Sequence, residues 1–185
     1  VPGPSSLASL ITPIDPLCNG GSNGSATATI TGAVPPVTYL WSNGATTQTI
    51  SNLLAGQYTV MITDSNNCTT YDTVVLAQPT MLSSIDSTTS VSCYGGNDGT
   101  ATVIVSGGTP PYNYLWSNVG TTASTAANLS SGQHIVTIID NNGCNIVDTV
   151  NITQPSQVVN DSSSTIITHI SCFGANNIFS FVWIC

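Results

Sequence analysis

The chain has 185 residues and a mass of 19.0 kDa, room for one ordinary domain or two to three small ones. It has 8 Asp, no Glu, no Lys and no Arg, a formal charge of -8, so counterion release from nucleic acid and docking on an anionic membrane surface are both excluded. A hydrophobic fraction of 41% and a mean hydropathy of +0.24 argue against disorder, and 27 Thr and 24 Ser beside Val and Ile favour strands over helices.

The opening Val1-Pro-Gly-Pro4 has neither Met nor a basic stretch, so any export leader is expected to have been removed already or to lie outside this piece. Ser25 to Thr31 alternates, with Ala26, Ala28 and Ile30 on one face and Thr on the other, which predicts a half-buried strand. Gly32-Ala-Val-Pro-Pro36 turns the chain. Tyr39-Leu-Trp41 predicts the next strand, closed by Ser42-Asn-Gly44, and Thr46 to Ile50 a short one after it. Gln57 to Asp64 alternates again, and Asn66-Asn67 turns it back into Thr69 to Leu76.

The pattern then starts over. Cys18-Asn-Gly-Gly-Ser-Asn-Gly-Ser-Ala-Thr recurs as Cys93-Tyr-Gly-Gly-Asn-Asp-Gly-Thr-Ala-Thr, and Pro35-Pro-Val-Thr-Tyr-Leu-Trp-Ser-Asn43 as Pro110-Pro-Tyr-Asn-Tyr-Leu-Trp-Ser-Asn118. After one inserted residue, Val119, Leu53, Gly56, Asp64, Cys68 and Gln78-Pro79 return as Leu129, Gly132, Asp140, Cys144 and Gln154-Pro155. Cys172-Phe-Gly-Ala-Asn-Asn177 opens a third copy that loses the pattern. The predicted units are therefore 5–79, 80–155 and an incomplete 156–185. Short antiparallel strands with turn signals every 8 to 12 residues make each full unit a small immunoglobulin-like antiparallel β-sandwich, so the fold is expected to be all-β. Trp41 and Trp116, one per unit in the same strand, are the expected core aromatics.

Each full unit holds two cysteines, Cys18 with Cys68 and Cys93 with Cys144. Their spacing fits no zinc pattern, and no basic neighbour lowers a thiol pKa for catalysis. The natural reading is one disulfide within each unit, which would stabilise it by about 4 kcal/mol in the chain-entropy model and implies an oxidising, extracytoplasmic home.

The order Cys-x-Gly-Gly-x-Asp/Asn-Gly-x-Ala-Thr, Gly-Gly-x-Pro-Pro-Tyr-x-Tyr-x-Trp-Ser-Asn and Asp-x-x-x-Cys resembles the SprB repeat of Bacteroidota surface proteins. Its second copy fits more closely, with Gly107-Gly108 and Pro110-Pro-Tyr112 intact, and departs at His134, where the first copy has Tyr58. The resemblance implies a Bacteroidota cell-surface adhesin of the gliding-motility kind, with units strung in series and exported by the type IX system.

The enzyme reading has little support: the repeated carboxylates, Asp64/Asp140 and Asp72/Asp148, recur at hairpin and strand positions as a scaffold feature would, His134 is expected as a core or edge residue of the strand Gln133 to Ile139, and His169 has no neighbouring nucleophile. No cofactor is expected; Asp64, Asp98 and Asp140 are candidate ligands for a structural calcium, against plain turn chemistry. A non-enzymatic stalk or spacer of an extracellular adhesin or filament is the expected function. The alternative is a module that binds surface polysaccharide through its loops, with Tyr94 and Tyr112 as candidate contacts. The expected partners are further repeats of the same chain, or identical subunits joined by strand addition at 156–185, a segment too short to bury both faces of a sandwich. The apolar end, Phe179 to Cys185, reads as a cut in a longer chain.

Overall fold

The computed structural model describes residues 7–117 and 119–158. The expected third unit, apart from its first three positions, lies outside the described residues. Twelve strands occur among them, six in each repeat. The first repeat runs β1 (Ala8–Ile14), β2 (Gly24–Thr31), β3 (Thr38–Trp41), β4 (Thr49–Leu53), β5 (Gly56–Thr63) and β6 (Thr69–Leu76). These form two three-stranded antiparallel sheets, β1-β2-β4 and β3-β5-β6. That is the strand partition of an immunoglobulin constant-type sandwich with its fourth strand omitted.

The alternation along β2 and β5 places Ala26, Ala28, Val60 and Ile62 in the interior, each 0% exposed. They pack with Ile11, Trp41, Ile50, Leu53, Val74 and Leu76 into one core. Strand β1 carries no such alternation: only Ile11 is buried, and Pro13 removes an amide donor. Pairing with β2 from Ala8↔Thr31 to Ile14↔Ser25 is what makes it a strand.

The Thr-rich strand begins later than the sequence suggests, at Thr49. The Thr47 carbonyl accepts the indole N–H of Trp41 at 2.8 Å, and the Thr47 hydroxyl donates to the Thr49 carbonyl at 2.7 Å. Thr47 therefore belongs to a connection that caps the tryptophan. The strand then runs on to Leu53 through a bulge: Ser25 opposes Ser51 and Gly24 opposes Leu53. The extra residue is Asn52, with φ at 58°, a left-handed conformation that Asn tolerates well. Farther along, the Tyr58 hydroxyl donates to the Leu54 carbonyl at 3.1 Å. This tyrosine-corner contact ties the start of β5 to the residues just before it.

The second repeat runs β7 (Ser83–Thr89), β8 (Gly99–Ser106), β9 (Asn113–Trp116), β10 (Thr125–Leu129), β11 (Gly132–Ile139) and β12 (Asn145–Ile152), in sheets β10-β8-β7 and β12-β11-β9. Burial along β8, β9, β10 and β12 copies β2, β3, β4 and β6 position by position. The bulge recurs too, with Asn128 at φ 57°. The described residues are thus all-β, built from tandem immunoglobulin-like sandwiches.

By proximity of Cα atoms the chain divides into two compact units. The first is Val1–Ser84 with Val105–Asn113 and Ile138–Ile146; the second is Ile85–Ile104, Tyr114–Thr137 and Val147–Cys185. The first unit thus contains the β8–β9 turn and the β11–β12 hairpin of the second repeat together with the first repeat.

Candidate functional site

The cysteines occupy two kinds of turn. Cys18 lies in the β1–β2 turn, where Gly21 N donates to the Cys18 carbonyl at 3.0 Å. This turn sits where β6 ends: Gly20 N donates to Gln78 Oε1 at 2.7 Å, Asn19 Nδ2 to the Pro79 carbonyl at 3.0 Å, and Ala77 N to Asp15 Oδ1 at 2.9 Å. Cys68 lies in the β5–β6 hairpin at the other end of the sandwich, beside the β2–β3 turn. The two are separated by the length of β5, an eight-residue strand, roughly 25 Å at about 3.3 Å per residue. A disulfide holds its Cα atoms within about 7 Å. The Cys18–Cys68 pairing expected from spacing is therefore ruled out by the topology.

Cys18 is instead bonded to Cys144, with Sγ atoms 1.99 Å and Cα atoms 5.7 Å apart. This also replaces the expected Cys93–Cys144 pair; Cys93 is disulfide-bonded elsewhere, while Cys68 is free and exposed. Chain direction explains the choice. Residues 77–80 leave the first repeat at the end holding Cys18. They enter the second at the end holding its β8–β9 turn and β11–β12 hairpin: Gly108 N donates to the Thr80 carbonyl at 2.9 Å, and Asn141 N to the Thr109 carbonyl at 2.8 Å. The hairpin cysteine of the following repeat thereby meets the turn cysteine of the preceding one. Asn142 adds a second tie, its Nδ2 donating to the Leu17 carbonyl at 3.0 Å. A cleft of about 350 Å³ beside the bond is lined by Cys18, Met81, Leu82, Asp140 and Cys144, with a single carboxylate among its lining residues.

The three candidate calcium carboxylates all accept backbone amides. Asp64 Oδ1 takes N–H groups from Asn66 and Cys68, each at 2.9 Å, and Oδ2 takes Val34 N at 3.2 Å. Asp140 repeats this with Asn142, Cys144 and Thr109, each at 2.9 Å. Asp98 Oδ1 takes Ser92 N at 2.9 Å, and its Oδ2 takes the Ser92 hydroxyl. Burial alone would raise the Asp64 carboxyl, but the amides of Cys68, Val34 and Asn66 outweigh it and hold its pKa below the usual value. The Ser92 hydroxyl and amide do the same for Asp98. No group of three or more His, Cys, Asp or Glu side chains that could hold a metal occurs among the described residues.

Trp41 and Trp116 are each 2% exposed, and the Trp116 indole donates to the Ala123 carbonyl at 3.0 Å. His134 is buried, with Nε2 2.9 Å from the Ser130 carbonyl, the counterpart of the Tyr58 contact. Tyr94 is exposed in the turn before β8; Tyr112, after β8, is partly buried and donates its hydroxyl to the Gly107 carbonyl at 2.6 Å. The eight-residue β8 runs between these two turns, so they do not make one aromatic platform. The strand pattern gave no sign of the Asn142 tie; its one sequence signal is that Asn66 stands at the same place in the first copy.

Residues 10–46 and 85–121 match the SprB repeat. The chain thus contains two SprB-repeat matches, one in each sandwich. Each match takes in the cysteine turn and the strand ending in tryptophan. These matches make the two sandwiches a tandem repeat module of the extracellular cell surface. No curated protein matches the chain. Among solved structures, the amphioxus IgVJ-C2 molecule is 14% identical over 66% of this chain and 91% of its own, with a TM-score of 0.33. The C-terminal fragment of intimin, solved in complex with the intimin-binding domain of its translocated receptor, is 14% identical over 80% of this chain and 64% of its own, at 0.36. Domains 4–9 of the surface layer protein SbsC are 19% identical over 84% and 31%, at 0.31. The chain thus spans less than two thirds of the intimin and surface-layer fragments.

Proposed function

We propose that the chain is a spacer segment of a gliding-motility-type surface adhesin, with units 5–79 and 80–155 repeating along the parent protein and neighbouring repeats as its main partners. What supports this reading is the Cys18–Cys144 bond, which ties one repeat to the next outside the connecting peptide. Nearest-neighbour ties stiffen a tandem array and keep its far end at a set distance from the surface. The experiment replaces 5–155 in the parent protein with an unrelated sandwich array of equal length. Cell adhesion and gliding should persist. Their loss, together with binding of the purified segment to surface polysaccharide, would favour the glycan-binding reading.

A further inference from the structure

The two repeats present the same hairpin, yet only one of the two hairpin cysteines is bonded. Cys144 and Cys68 follow Asp140 and Asp64 by four residues, and each donates its backbone N–H to that carboxylate at 2.9 Å. Each turn places its preceding residue at positive φ, 83° for Gly143 and 61° for Asn67. Asn142, whose Nδ2 holds the Leu17 carbonyl beside the disulfide, has its counterpart in Asn66, whose backbone N–H is fixed to Asp64 at 2.9 Å just as that of Asn142 is to Asp140. The bonded copy therefore shows what the free one is shaped to receive: a Cys-x-Gly-Gly turn from the repeat before it.

We infer that Cys68 forms a disulfide with the turn cysteine of a preceding SprB repeat in the same parent polypeptide, so that every joint of the array carries one bond of the Cys18–Cys144 type. A second copy of this chain is the weaker occupant, because its turn cysteines among the described residues, Cys18 and Cys93, are already in disulfides. The chemistry is an ordinary exchange. The two thiols lose two protons and two electrons to a dithiol oxidase disulfide of the extracytoplasmic compartment, and that disulfide leaves as two thiols. The inference rests on the tandem-repeat reading above.

The eight aspartates make the connectivity directly readable. Cleavage N-terminal to Asp puts Cys18 on 15–63, Cys68 on 64–71, Cys93 on 86–97 and Cys144 on 140–147, each alone. The native parent protein is collected from cells with N-ethylmaleimide present, cleaved in this way without reductant, and weighed by mass spectrometry. Fragment 64–71 should appear joined to a Cys-x-Gly-Gly peptide from outside 1–185, at the summed mass less two hydrogens. The inference is overturned if 64–71 carries maleimide, or if it is joined to 15–63, to 161–185 or to itself. Fragment 15–63 joined to 140–147 is read in the same spectrum. Its absence would undo the tandem reading, whereas its presence beside a maleimide-labelled 64–71 would undo the Cys68 assignment alone.

Discussion

Gly24 begins β2 where three chain segments converge. A Cβ there would meet Leu76 Cδ2 at 2.7 Å and the Leu53 carbonyl at 2.9 Å, and Gly99 stands in the same vice with Ile152 Cγ2 at 2.8 Å. Gly24→Ala should destabilise the protein by about 1–3 kcal/mol, read as a lower urea midpoint with unchanged slope. The carboxylates set the acid limit. Asp64 and Asp98 titrate lower in the folded chain than in the unfolded one, so the unfolded chain binds more protons in that window and stability rises with pH through it. The contribution is complete above the ordinary Asp value of about 3.9 and is lost as pH falls through the folded values. Urea midpoints should hold level from neutral pH to about pH 5 and drop below about pH 4. Asp64→Asn should lower the melting temperature at neutral pH and flatten that drop, because an amide group cannot accept from both sides of the turn. Tyr58→Phe removes one hydrogen bond and should cost about 0.5–1.5 kcal/mol, measured in the same titration.

Strands were legible wherever one face is dry. Ala26, Ala28, Val60 and Ile62 declare their sheets by period-two alternation, and the duplicated Tyr-Leu-Trp run fixes the strand that brings tryptophan inward. β1 was not legible, because its one buried side chain, Ile11, makes no pattern. The disulfide was misread for a different reason. Cysteine spacings of 50 and 51 recur because the whole unit recurs, and spacing along the chain says nothing about which end of a sandwich a turn occupies. Knowing that β5 separates the Cys18 turn from the Cys68 hairpin requires the sheet order, which composition does not hold. The bond itself closes a loop with a sequence separation of 126, for which the chain-entropy model gives about 5 kcal/mol. Reduction, or Cys144→Ser, should therefore lower the urea midpoint of the first repeat as well as the second. A first repeat that melts unchanged would mean that the bond stabilises only the hairpin it sits on.

At the scale of the whole molecule, the Cys18–Cys144 bond decides where tension travels. A pull applied between the two termini enters at the first residues, crosses from Cys18 to Cys144 through sulfur, and leaves along β12. Everything between those cysteines hangs beside the tether as slack that the pull cannot draw out. The tandem sandwiches are in this respect a shunted cable: strands β2 to β11 can unfold and refold without changing the distance between the two ends of this chain. Full reduction should release a sequence separation of 126, lengthening a single stretched molecule by roughly 430 Å at about 3.4 Å per residue. Optical-tweezers traces with and without reductant measure this directly, and equal contour lengths in both would show that sulfur is not in the path. A chain wired in this way has its extensibility set by the oxidation state of its surroundings: a short tether where the disulfide persists, and a long compliant leash where it is reduced.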